Sequence, residues 1–130
     1  MTTEQKELFE KWLEKALHDE LAAKSLIKHR PLILDTACFH CQQAVEKYLK
    51  GYLVYRNHDF PKIHDLSVLK KMCTKLDKDF NKIDVAELDD YAVSIRYPDD
   101  YLMPTLKETK HFLQIVLKIK KLILRKTKLS

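Results

Sequence analysis

The sequence is nearly without glycine. Gly51 is the single one among 130 residues, and only four prolines accompany it. Hairpin turns draw on glycine where φ must be positive, so a strand-rich fold is disfavoured. A glycine-rich phosphate loop cannot be built from one glycine. No apolar run approaches the length of a membrane span. Cysteine is scarce as well: Cys38, Cys41 and Cys73. Met1–Lys6 does not open like a signal peptide. Together these give the expectation of a cytoplasmic protein with reduced thiols and no membrane contact.

What is present is helical periodicity over one domain, residues 1–130, a length that suits one core. Apolar residues recur at spacings of three and four in five segments. The first is predicted over Glu4–Lys28, with Phe9, Trp12, Leu13, Ala16, Ala23 and Leu26 on its stripe. Asp19 sits in phase with that stripe. It is either a paired carboxylate in the core or a wet residue at the rim. The second segment, about Pro31–Tyr55, carries two apolar rows, with Ala37, Cys41, Ala44 and Tyr48 on one and Cys38, Val45, Leu49 and Leu53 on the other. Two rows suit a central helix packed on more than one side. Its remaining strip is polar: Gln42, Gln43, Glu46, Lys47 and Lys50.

The third segment starts at His64–Asp65, with Asp65 as N-cap and a stripe from Leu66 to Phe80. The fourth starts near Asp84, with Glu87 as capping partner and Val85, Leu88, Ala92 and Ile95 as its stripe. The fifth starts near Pro104–Thr105, where Thr105 and Glu108 form a capping-box pattern. The fold class is therefore all-α, a bundle of amphipathic helices.

Net charge is +5, and much of the excess follows Gln114, where Lys118, Lys120, Lys121, Arg125, Lys126 and Lys128 have no acid among them. Such a run is either a surface for RNA or an acidic partner, or cation placement at a helix C-terminus; the second is the commoner case. Cys38-Phe39-His40-Cys41 is a C-x-x-C, but no second ligand pair exists for a structural metal and no βαβ context for a redox motif. No metal and no cofactor are expected, and the thiols read as small core residues. His64 beside Asp65 is either a carboxylate-oriented base or part of a helix start. Arg96-Tyr97-Pro98-Asp99-Asp100-Tyr101 is either a well-built turn or one wall of a polar pocket. Tyr48, Tyr52 and Tyr55 at helical spacing read as packing rather than as a base-stacking stripe.

Several of these features coincide in a known pattern. Trp12, Ala16, Asp19 and Ala23 precede Phe39-His40-x-Gln42-Gln43-Ala44-Val45-Glu46-Lys47, then His64-x-Leu66, then Tyr91 and Arg96-Tyr97-Pro98-Asp99. The chain resembles the HEPN domain family (higher eukaryotes and prokaryotes nucleotide-binding) over nearly its whole length. The resemblance implies an up-and-down antiparallel bundle of four to five helices and a homodimer. It also implies a separate minimal nucleotidyltransferase as partner, in a toxin–antitoxin or defence pair. Many members are metal-independent ribonucleases marked by Arg, four to six residues, then His. This sequence departs from that mark. The windows after Arg30, Arg56, Arg96 and Arg125 hold no histidine, and His64 falls one residue beyond the reach of Arg56.

The leading expectation is thus a non-catalytic HEPN protein that binds a nucleotide, a nucleotidyltransferase or both. Gln43 and Lys47, at i and i+4, are placed in one cleft with His64, Arg96, Tyr97 and Asp99. Asp19 is expected to pair with Lys47 or Arg96. Arg96 and Lys47 would hold phosphate, and Tyr97 would meet base or partner. Two alternatives stand: a divergent ribonuclease with His64 and Arg96 as catalytic candidates, and a structural dimerising module without ligand.

Overall fold

The computed structural model describes residues 1–94 and 103–128, with side chains described except at 91–94. Arg96, Tyr97 and Asp99 therefore lie outside the described residues, as does Ile95 of the fourth stripe. Among the described residues five α-helices follow one another: α1 Thr3–Lys28, α2 Leu34–Tyr55, α3 Leu66–Leu76, α4 Ala86–Ser94 and α5 Leu106–Lys126. No strand occurs among the described residues. The all-α helical bundle is the observed architecture.

Every helix start has a local side-chain cause except that of α2, where Ile33 supplies no cap. The Thr2 hydroxyl accepts from Gln5 N at 3.0 Å. Asp65 accepts from Val68 N at 3.1 Å, and Asp89 of α4 adds its carboxylate to Leu66 N at 3.0 Å. Asp84 accepts from Ala86 N at 3.0 Å. The Thr105–Glu108 capping box is complete, with both reciprocal bonds formed. Two boundaries differ from expectation. α2 begins at Leu34 rather than Pro31. α3 stops at Leu76 because Asp77 is extended and its carboxylate accepts from Asp79 N, opening a 3-10 turn over Lys78–Lys82. Phe80 still reaches the core, fully buried, from that turn.

α2 is the axle. α1 packs on it antiparallel: Gln5 Nε2 donates to Val54 O near one end, and Asp19 meets His40 and Lys47 further along. α5 lies on its other flank, where Cys38 Sγ and Thr109 Oγ1 are 3.4 Å apart. The connection after Tyr55 carries the chain back along α2, so that α3 starts beside Gln42 and Glu46 and advances with α2 toward its C-terminal end. α2 and α3 thus share a direction, whereas α1 opposes α2. Ala37, Cys38, Cys41, Ala44, Val45, Leu49 and Leu53 are all fully buried, as both apolar rows require. Tyr48 and Tyr52 are buried too and pack as expected.

Gly51 sets the spacing between α1 and α2. A Cβ there would lie 3.2 Å from Trp12 Cβ and 3.5 Å from Leu13 Cδ2. Two rigid backbones have come together at the one residue without a side chain. Replacing Gly51 by Val forces them apart and is expected to lower stability by about 1–3 kcal/mol, the usual cost of overpacking a close seam. Urea unfolding measures it; an unchanged midpoint would show the seam to be loose.

Candidate functional site

Polar side chains are concentrated along the flank of α2 that faces α1 and the start of α3. Asp19, at 8% exposure, spends both oxygens there: Oδ1 is 2.8 Å from His40 Nδ1 and Oδ2 accepts from Lys47 Nζ at 2.5 Å. The stripe-breaking acid is thus a paired carboxylate in the α1–α2 seam; of its two expected partners Lys47 is bonded to it, and Arg96 lies outside the described residues.

One residue on, Glu20 is fully buried. Tyr48 donates to it at 2.9 Å, Lys24 at 2.9 Å and Lys120 at 3.2 Å. Burial by itself would raise the Glu20 carboxyl, but the three donors outweigh it and hold the group below the ordinary carboxylate value. Burial and the adjoining Glu20 carboxylate push the Tyr48 phenol up, so it stays a donor.

The strip read as polar surface on α2 is in large part buried. Gln42, Glu46 and Lys50 are at 1%, 3% and 6% exposure. Glu46 accepts from Lys50 Nζ at 3.2 Å and meets His64 Nδ1 at 2.9 Å. Gln42 donates to the His64 carbonyl at 3.1 Å and accepts from Gln43 at 2.7 Å. Lys50 reaches under two rings, 5.7 Å from the centroid of Trp12 and 6.0 Å from that of Phe60. These bonds dock the segment before α3 onto α2 and cover the strip.

Beside this network opens a cleft of about 490 Å³. α1 contributes Lys11, Trp12 and Lys15; α2 contributes Gln43, Lys47 and Lys50; His64 and Glu46 close one side. Three of the expected site residues, Gln43, Lys47 and His64, therefore share one cleft. Lys11, Lys15, Lys47 and Lys50 face it with Glu46 as the only acid in its lining. Lys11 and Lys15, both exposed, have no ion pair among the described residues. The cleft is a cationic pocket with an indole in its wall. A second hollow of about 610 Å³ adjoins it across Leu8 and Trp12.

Lys11, Lys15, Trp12 and Lys50 were not among the residues expected in the site. The i, i+4 pair Lys11 and Lys15 on one flank of α1 was the available signal. The basic tail is partly spoken for within the bundle. Lys120 joins Glu20, and Lys126 donates to Asp77 at 3.0 Å and Asp79 at 2.6 Å. The bonds to Asp79 and Asp77 raise the Lys126 ammonium above its usual value.

The Cys38-x-x-Cys41 thiols are core groups. Burial pushes Cys38 up to about 11 and Cys73 up to about 12, and Cys41 is driven up further. All three are buried and free. No three His, Cys, Asp or Glu side chains converge as metal ligands would among the described residues.

The Glu20 cluster yields a test. Tyr48→Phe removes one of three donors and is expected to cost about 1.5–3 kcal/mol, the range for a bond to a charged group. A depressed carboxyl contributes stability above its unfolded pKa and loses it as pH falls through its folded pKa. The gap between variant and wild type should therefore be widest near neutrality and narrow in acid below about pH 4. Urea unfolding at both pH values measures this; a pH-independent gap would assign the loss to packing.

No helix among the described residues is long and apolar enough to cross a membrane. The HEPN domain family model matches residues 9–127. No curated protein and no solved structure matches the chain. The match runs from within α1 to just past the end of α5, nearly the whole chain, and on that breadth the chain belongs to the HEPN domain family.

Proposed function

We propose that this protein binds a nucleotide in the α1–α2 cleft, and that it works by binding rather than by cleaving RNA. HEPN membership assigns a nucleotide-binding or ribonuclease-like family and no more. The observation that carries the finer reading is the cleft's lining: Lys11 and Lys15 without an ion pair among the described residues, Lys47 and Lys50 behind them on Asp19 and Glu46, and an indole beside them. Ammonium groups attract phosphate as point charges, and Lys11 and Lys15 are not spent on other acids among the described residues. Asp19 holds Lys47 in place without leaving the seam. Trp12 offers a π-face on which a base can stack. The absence of Arg-x(4–6)-His speaks against the family's ribonuclease chemistry. In this reading the nucleotide-bearing face is also what a partner minimal nucleotidyltransferase meets, in a toxin–antitoxin or defence pair.

One observation favours the ribonuclease as a second reading. His64 has Nδ1 on the Glu46 carboxylate while its side chain is 65% exposed, so a second ring nitrogen is available to a substrate. That is the arrangement of a carboxylate-oriented base.

Trp12 is the only tryptophan, so its fluorescence reports on the cleft directly. Titration with AMP and ATP is expected to quench it saturably, more weakly at high salt. Lys11→Glu with Lys15→Glu should weaken binding about tenfold or more, as reversing two cations beside a phosphate would. No heat by calorimetry and no quenching at millimolar nucleotide would sink the proposal. Metal-free RNA cleavage that is lost in His64→Ala would move the conclusion to the second reading. Co-purification with a nucleotidyltransferase tests the partner.

A further inference from the structure

The hollow beyond Leu8 and Trp12 has the opposite chemistry to the lysine cleft that it adjoins. It encloses about 610 Å³ between the first turns of α1 and the turn that leaves α2. α2 ends in a tight cap. Asn57, with φ at 54°, donates its backbone N–H to Val54 O, and His58 N donates to Leu53 O, both at 2.9 Å. The cap carries His58–Phe60 across to the N-terminal end of α1. There His58 Nδ1 lies 2.8 Å from the Asp59 carbonyl oxygen, and Phe60 meets Trp12 edge-on. The exposed Asp59 side chain is left on the rim of the hollow, and Glu4 lines it from α1.

Acceptors dominate this lining. Neither Glu4 nor Asp59 makes an ion pair among the described residues, and no lysine or arginine among them lines the hollow. Ionised carboxylates accept hydrogen bonds and donate none. Gln5 donates its amide to Val54 O at 2.9 Å, which leaves its oxygen as a further acceptor. The two hollows share Leu8 and Trp12 as a common wall. Glu4, Leu8 and Lys11 follow at i, i+4 and i+7, so they stand on one face of α1. Lys11 is two turns from Glu4, about 10 Å along the axis. That is the reach of one mononucleotide from its phosphate to the far edge of its base.

Resting on the nucleotide reading above, we propose that the cleft and the hollow are one two-part site, and that its ligand is a guanine nucleotide. The phosphate lies by Lys11 and Lys15, the base passes over Trp12, and its N–H edge meets Glu4 and Asp59. The charges fix the direction: phosphate is repelled from the acidic end and drawn to the basic one. The acceptors then choose the base. Guanine sets a ring N–H and an amino group side by side, three donors on one edge. Adenine and cytosine put a ring lone pair next to the amino group, and that lone pair would face a carboxylate. Hypoxanthine and uracil keep a ring N–H but have no amino group. A purine also covers more of the indole than a pyrimidine does.

The test titrates GMP, IMP, AMP and ribose 5-phosphate into the full chain, read by calorimetry and, for the nucleotides, by Trp12 fluorescence. GMP is expected to bind about tenfold more tightly than IMP, which lacks only the amino group; that is the lower end for hydrogen bonds to a charged acceptor, as an open site requires. AMP should fall below GMP as well. Glu4→Ala with Asp59→Ala should bring GMP down to the level of IMP. Both positions are exposed, so circular dichroism should show unaltered helix content. Ribose 5-phosphate should bind this variant at least as well as wild type, because removing acids near a phosphate site favours any anion. A loss confined to GMP therefore belongs to the base. GMP bound no more tightly than IMP or AMP, with ribose 5-phosphate still bound, would overturn the guanine assignment and leave the phosphate cleft standing. A GMP preference that survives in the double variant would overturn it too, since the base would then be read elsewhere. No heat from any of the four ligands would remove the nucleotide reading itself, and this inference with it.

Discussion

The structure rests on charge neutralised out of water along α2. Three carboxylates, Asp19, Glu20 and Glu46, are at 8%, 0% and 3% exposure, and every one is held by cations or a phenol from other turns or helices. A carboxylate taken from water without partners would cost several kcal/mol, so each fixes the groups around it. Asp19 sets the register of α1 on α2. Glu20 ties α5 to both through Lys120. Glu46 holds the segment before α3 through His64. No buried side-chain nitrogen or oxygen among the described residues lacks a partner. The interior is therefore specific as well as apolar: any slip of one helix by a turn would strand at least one charge.

The cleft is a by-product of the same scheme. Lys47 reaches the cleft already oriented by Asp19, and the buried Lys50 backs it from Glu46. Trp12 is kept in the wall by Lys50 beneath it and by Phe60 edge-on at 6.3 Å. A ligand meeting these groups would find them fixed before it arrives, so little ordering entropy remains to be lost on binding. Lys11 and Lys15, on an exposed flank, are the adjustable part.

Sequence reasoning located what local rules decide. The Thr105–Glu108 box, the Asp65 cap and the two apolar rows of α2 follow from spacing alone, and each is present. Asp19 was legible as an anomaly because it broke a stripe. Glu20 was not, because its state depends on Lys120, a hundred positions away in the chain. Gln42, Glu46 and Lys50 looked like a wet edge for a related reason: the segment that covers them returns from the far end of α2, and no periodicity within the helix announces it. Gln43, Lys47 and His64 were grouped through the family resemblance and do share a cleft. Arg96, Tyr97 and Asp99, grouped with them, lie outside the described residues.

The three thiols carry a consequence of another kind. Cys38, Cys41 and Cys73 sit at the helix contacts, with burial holding each in its protonated, unreactive form. Oxidants and alkylating reagents meet them only in molecules whose helices have parted. Modified cysteine in a sample of this protein would therefore be a record of opening, a count of how often the bundle breathes, rather than a measure of the redox state around it.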